Sequence, residues 1–232
     1  MNRILYMCLK NIPRIPAAWI KLCKYAKNPD KYSRQEMADH IRYIMTLAVK
    51  SGNINLKVTG TERFPAEDGF MLYGNHQGMF DAVALLAAID RPVSAVFKKE
   101  LKDIPFVKQI VAITASYAMD REDVRQSMEV ILNTAKSVSE QKRNFIIFPE
   151  GTRNKTSEPL LEFKNGAFKI ATKAKCPIVV AALKNTRKVQ HNFPWKKTDI
   201  YVHIEVIPAE EVEVSNTAQL SARVYDILKD NI

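Results

Sequence analysis

The chain has 232 residues, 47% hydrophobic and 26% charged. That is enough for one domain with a buried core, or one domain and a small appendage, and it argues against a disordered chain. The net charge of +10 is unevenly placed, with ten Lys/Arg against three Asp/Glu in residues 1–50. Three scattered cysteines (Cys8, Cys23, Cys176) form no C-x-x-C pair and none stands near a histidine at zinc-ligand spacing. A disulfide framework is therefore not expected, nor a metal, and the sparse thiols fit a reducing compartment.

The first segment, Ile4–Ala26, is apolar, but Lys10, Arg14, Lys21 and Lys24 interrupt it. It falls short of the roughly eighteen uncharged residues that a spanning helix needs, and no small-residue cleavage site follows a short apolar core. Pro13 and Pro16 predict two short helical pieces, the second starting near Pro16. Helical periodicity would put Arg3, Lys10, Arg14 and Lys21 on one narrow face, with Leu5, Leu9, Ile12, Trp19, Ile20 and Leu22 over much of the rest. A third helix opens with a capping box between Ser33 and Glu36 and stops at Gly52. Basic, aromatic-bearing apolar helices of this kind suit an anionic membrane surface. The expectation is an amphipathic interfacial motif over residues 1–52, peripheral or monotopic at the cytoplasmic face; the alternative is helices packed on the protein's own core with a solvated basic face.

From Ile54 the pattern alternates. Strands are predicted at Ile54–Val58, Phe70–Tyr73, Val93–Phe97, Ser116–Met119, Phe145–Phe148 and Pro177–Leu183, with an edge-type strand at Asp199–Ile207. Helices are predicted at Met79–Ile89, Pro105–Ile113, Val124–Val138, Lys164–Ala174 and Thr217–Leu228, and a long basic loop at 184–198. The expected fold class is α/β, a mixed, largely parallel sheet flanked by helices and occupying residues 53–232.

Ligands of open α/β sheets bind beyond the carboxyl ends of parallel strands. Two polar motifs stand there. After Phe70–Gly74 comes Asn75-His76-Gln77-Gly78-Met79-Phe80-Asp81, and after Phe145–Phe148 comes Pro149-Glu150-Gly151-Thr152-Arg153. If Gly78 lets the chain turn, Asp81 can hold one ring nitrogen of His76 and leave the other free to take a proton. Gly151 permits a tight turn, and Thr152 and Arg153 offer donors suited to phosphate. Read singly, the first motif describes a surface histidine with a helix-start aspartate, and the second a turn with a Glu150–Arg153 ion pair.

Taken together, the two motifs resemble those of the glycerolipid acyltransferase family, typified by 1-acylglycerol-3-phosphate acyltransferases. Tyr117-Ala118-Met119-Asp120-Arg121, Pro177–Ala181 and the Phe97–Phe106 stretch with Lys98 and Lys99 resemble further family blocks, so the likeness covers roughly residues 55–210. The resemblance implies acyl transfer from acyl-CoA or acyl-carrier protein to the free hydroxyl of 1-acylglycerol-3-phosphate, with no cofactor beyond the thioester co-substrate. It implies His76 as general base, Asp81 as its orienting partner, and Glu150, Gly151, Thr152, Arg153 and Arg121 as acceptor-binding residues. It also implies interfacial N-terminal helices. Three positions depart from the family: Gly78 stands where a serine is frequent, and Ala118 and Met119 where bulkier apolar residues are usual.

An attacking alcohol must lose its proton, and the oxyanion on the thioester needs donors, which backbone amides near Gly78 or Gly151 can supply. No serine or cysteine sits in a nucleophile elbow, so direct transfer is expected. Other readings are acylation of glycerol-3-phosphate or another lysolipid, and a non-catalytic membrane-binding protein. A nucleic-acid module is disfavoured, because the charge clusters at an apolar terminus without an aromatic RNA motif.

Overall fold

The prolines divide the N-terminal stretch as predicted. In the computed structural model, which describes residues 3–213 and 215–232, helix α1 spans Arg3–Asn11 and α2 spans Ile15–Lys27, with Pro16 in the first turn of α2. A proline there loses no helical hydrogen bond. Helix α3, Arg34–Ser51, is capped by Ser33, whose Oγ accepts the Glu36 N–H at 3.0 Å. The expected capping box is only half made. The Glu36 carboxylate instead accepts the Tyr25 hydroxyl at 2.6 Å and so ties α2 to α3. Gly52 does end α3, at a φ of −75°. Its small size also serves packing, since a Cβ there would come within 2.2 Å of Met7 Cε on α1.

Arg3 corrects the predicted basic face. It does not line up with Lys10 in solvent but is buried, donating to the Thr198 hydroxyl and to the carbonyls of Phe193 and Lys196. Periodicity could not foresee partners nearly two hundred residues away.

The remaining elements follow in order: β1 Ile54–Thr59, β2 Met71–Gly74, α4 Phe80–Ala88, β3 Val93–Lys98, α5 Val107–Thr114, β4 Tyr117–Met119, α6 Val124–Ser139, β5 Asn144–Ile147, α7 Lys169–Ala174, β6 Ile178–Lys184, α8 Lys188–His191, β7 Thr198–Ile207, α9 Ala209–Glu213 and α10 Thr217–Asn231. A 3₁₀ turn, Asn165–Phe168, leads into α7, so the helix predicted from Lys164 begins tighter than α. The basic stretch 184–198 is likewise not wholly loop, because it carries α8.

One seven-stranded sheet results, in the order β1-β7-β6-β2-β5-β3-β4. Strands β6, β2, β5, β3 and β4 are mutually parallel, β7 is antiparallel to β6, and β1 is parallel to β7. The fold class is the expected one. The edge assignment of the last strand is not: β7 lies between β1 and β6, and the edges are β1 and β4. Alternation in β7 reports one partly solvated face, a property of an interior strand too when no helix covers that side.

Strands β2, β5 and β6 are apolar throughout because both faces are covered. Met71, Tyr73, Phe145, Ile147, Ile178 and Val180 pack on the side of α6, α7 and α10. The alternate residues Phe70, Leu72, Ile146, Val179 and Ala181 pack against α4 and reach Val49 of α3 and Met7 of α1. A third cluster (Leu22, Tyr25, Met37, Ile41, Met45, Ile113) joins α2 and α3 to α5, with Val83 and Leu86 of α4 against it. Residues 3–52 thus share apolar cores with the sheet domain. Leu5, Leu9, Ile12 and Ile20 of α1 and α2 and their junction stay exposed. No helix among the described residues is long and apolar enough to cross a membrane.

Candidate active site

Parallel strands β2, β5 and β6 end at one sheet edge, and three loops leave from there. After β2, Asn75 is wholly buried and works as a detached strand residue: its Nδ2 donates to the Leu183 carbonyl at 2.9 Å, and its Oδ1 accepts the Leu183 N–H at 2.7 Å. The side chain thereby extends the β2–β6 ladder one step past Gly74, and a buried amide finds both partners it requires. This fixes where the next residue, His76, emerges.

His76 Nδ1 lies 2.6 Å from Asp81 Oδ2. A carboxylate only accepts, so Nδ1 carries the proton and Nε2 is left as the acceptor. The same Oδ2 accepts the Gly78 N–H at 2.8 Å, and Asp81 sits in the first turn of α4. That bond, not glycine's backbone freedom, makes the turn. Gly78 is outside the left-handed region, and a Cβ on it would meet only Gln190 Oε1 at 3.7 Å and Arg187 Cα at 3.8 Å. Asp81 is fully buried, with Oδ1 lacking a protein partner. The imidazole stacks on Phe148 with centroids 4.3 Å apart and 14° between planes, leaving the His76 side chain 21% exposed.

The second motif grips the first through its backbone. Glu150 is buried, with Oε1 accepting the His76 N–H at 2.5 Å and Oε2 accepting the Leu161 N–H at 2.9 Å. The Asn154 N–H donates to the His76 carbonyl at 2.7 Å. Burial pushes the Glu150 carboxyl above its ordinary value, while the two amide donors oppose that rise. Glu150 therefore neither pairs with Arg153 nor reaches outward to an acceptor; it locks two loops together. Gly151 has a φ of +69°, the left-handed value its turn requires.

Thr152 and Arg153 follow on the exposed side of this turn, next to Asn154 and hence beside His76. Arg121 is also exposed, after β4, three strands from β2 along the same edge. With neighbouring strands about 4.8 Å apart, it stands on the rim, roughly 14 Å from the histidine's strand. Lys99 pairs with Asp120 and so ties the ends of β3 and β4. The amides expected to serve an oxyanion are engaged: Gly78 N–H with Asp81, and Gly151 N–H with the Phe148 carbonyl at 3.0 Å. Among the described residues, no three His, Cys, Asp or Glu side chains gather as metal ligands.

Sequence reasoning passed over four contributors. Phe148, read as the last strand residue, is the surface on which the imidazole rests. Asn154 clamps the His76 carbonyl one residue beyond the recognised motif. Arg187 and Thr186 brace the site from the turn after β6, the former donating to the Lys155 and Thr156 carbonyls and the latter to Gln77. Only Phe148 carried a signal, as an aromatic at the strand end that faces the histidine loop.

A carboxylate-oriented histidine beside an exposed arginine loop, at the carboxyl edge of an α/β sheet, has the parts of a site that deprotonates a group on an anionic molecule. A family model described as Acyltransferase matches residues 55–184, and the chain belongs to that family. It is 34% identical over 134 residues to the 1-acyl-sn-glycerol-3-phosphate acyltransferase of Saccharomyces cerevisiae, 57% of this chain and 44% of that one. The protein of the same description from Haemophilus influenzae is 29% identical over 160 residues, 68% of this chain and 66% of that one. The chain thus spans about half to two thirds of the length of these relatives. The crystal structure of the 1-acyl-sn-glycerophosphate acyltransferase of Thermotoga maritima shares the fold with a TM-score of 0.76 at 21% identity, over 98% of this chain and 92% of that one.

Proposed function

We propose that this protein moves a fatty acyl group from an acyl thioester, acyl-CoA or acyl-carrier protein, to the free hydroxyl of 1-acylglycerol-3-phosphate, giving phosphatidate. The carrying observation is the His76–Asp81 contact at 2.6 Å with the Glu150–Arg153 turn bonded to the same histidine's backbone. His76 Nε2 takes the hydroxyl proton as the oxygen attacks the thioester carbonyl. A carbon–oxygen bond forms, the carbon–sulfur bond breaks, and the proton passes from the imidazole to the leaving thiolate. Asp81 holds the ring and offsets its positive charge while it is protonated. Arg153 and Thr152 bind the acceptor's phosphate, with Arg121 joining from the rim.

The reaction runs at the cytoplasmic face of a membrane, where residues 1–52 lie on the anionic surface. The exposed Leu5, Leu9, Ile12 and Ile20 beside Lys10, Lys21 and Lys24 support that placement, as do three free thiols that fit a reducing compartment. The test is purified protein in lipid micelles with acyl-CoA or acyl-carrier protein and a panel of lysophosphatidate, glycerol-3-phosphate and neutral lysolipids, following thiol release. Release with lysophosphatidate and not with neutral lysolipids is expected; release only with another acceptor, or none with either donor, refutes the assignment.

A further inference from the structure

Phe193 and Trp195 are displayed in an unusual way. They are 66% and 63% exposed, yet their rings stack with centroids 5.1 Å apart and 14° between planes. The backbone beneath them is pinned. Buried Arg3 donates to the carbonyls of Phe193 at 2.5 Å and Lys196 at 2.8 Å, and Asn53 Nδ2 donates to the Trp195 carbonyl at 2.7 Å. A fixed backbone that keeps two large rings in water is costly unless something apolar covers them.

Their position says what covers them. The segment follows β6 and precedes β7, so it leaves the same sheet edge as His76, and at its start Thr186 and Arg187 touch the catalytic loops. Helix α1, which supplies Arg3, exposes Leu5 and Leu9, and Ile12 just after it is exposed too. Charge agrees. No Asp or Glu occurs before Asp30 or between residues 188 and 198, while Lys10, Lys188, Lys196 and Lys197 do. Stacked aromatics flanked by lysines, continuous with an apolar basic helix, match the headgroup zone of an anionic bilayer.

We infer that Phe193–Lys197 is a second membrane anchor, a preformed aromatic and basic loop that Arg3 fuses with α1 into one interfacial surface beside the His76 edge. The inference deepens the interfacial reading of residues 1–52 and rests on it. Its consequence is geometric: two contacts far apart in sequence fix the tilt of the sheet edge against the lipid, where one helical pair would leave the molecule free to rock.

The test uses the full chain carrying Trp19→Phe, so that Trp195 is the sole indole reporter. With phosphatidylglycerol vesicles, Trp195 emission shifts to the blue and is quenched by lipids brominated near the headgroup. The double variant Phe193→Ser/Trp195→Ser should partition onto these vesicles about tenfold more weakly while melting at an unchanged temperature. Its turnover of a short-chain acceptor dispersed as monomers should equal that of the parent. Protein that co-sediments with vesicles while Trp195 stays water-exposed overturns the loop anchor and leaves the helical reading standing. Failure to co-sediment at all overturns both. A blue shift that grows with protein concentration without lipid also overturns the anchor, in favour of self-association.

Discussion

At the scale of single residues, His76 is held by more groups than its carboxylate partner alone. Asp81 fixes one ring nitrogen, Phe148 supports the ring face, and Glu150 and Asn154 hold the backbone on either side. A positioned base contributes about 10²–10⁴ in rate. His76→Ala is therefore expected to lose at least ~10²-fold in kcat at unchanged fold, and near-normal turnover by folded variant would remove the base assignment. Glu150→Gln must turn an NH₂ group toward one of two backbone N–H donors. The cost expected is about 1–3 kcal/mol of stability from an unsatisfied buried group. The base is shifted as well, so kcat should fall although no substrate contact is lost; denaturant melts and turnover read the two effects separately. Arg153→Ala should raise the acceptor's KM and leave that of the thioester nearly alone, and equal rises would argue against a phosphate role. Gly78→Ser tests the opposite expectation. The site has ordinary room for a Cβ, so turnover should stay within about threefold, small beside the ~10²-fold lost without the base. Loss on the scale of His76→Ala would show that glycine's freedom is needed after all.

At the scale of elements, α2 and α3 depend on a buried histidine. His40 Nε2 lies 3.0 Å from the Ala18 carbonyl, which accepts, so Nε2 carries the proton. Burial lowers the His40 pKa below 6.5, the hydrogen bond to Ala18 opposes that change, and the charge of Lys21 adds to it. The unfolded chain thus binds a proton more readily than the folded one. Stability from this group is fully present above pH 6.5 and is lost as pH falls through the lower folded value. Amide-exchange protection of α2, corrected for the intrinsic rate, should fall between pH 7.5 and 5 in the wild type and much less in His40→Gln. Each tenfold difference in proton affinity between folded and unfolded chain is worth about 1.4 kcal/mol. Equal loss in both would place the acid sensitivity elsewhere. The exposed faces differ along this stretch: α3 packs on α4 and α5, while Leu5 and Leu9 of α1 and Trp19 and Ile20 of α2 stay in solvent, which fits the interfacial placement proposed above.

For the whole molecule, the sequence by itself determined the fold class, the succession of elements and the two motifs that meet. Each rests on a local signal: period-two and apolar runs for strands, period-3.6 stripes for helices, and prolines or glycines at the boundaries. The His76–Asp81 pair was legible because five residues and one helix start close it locally. The structure alone decided that Glu150 bonds the His76 backbone across 74 positions, that Arg3 is buried against the 193–198 segment, and that β7 lies inside the sheet. Those outcomes depend on which strands become neighbours. Residue spacing carries no record of that choice; it is set when helices cover both faces of β2, β5 and β6 and the turned-back β7 lets β1 pair beyond it.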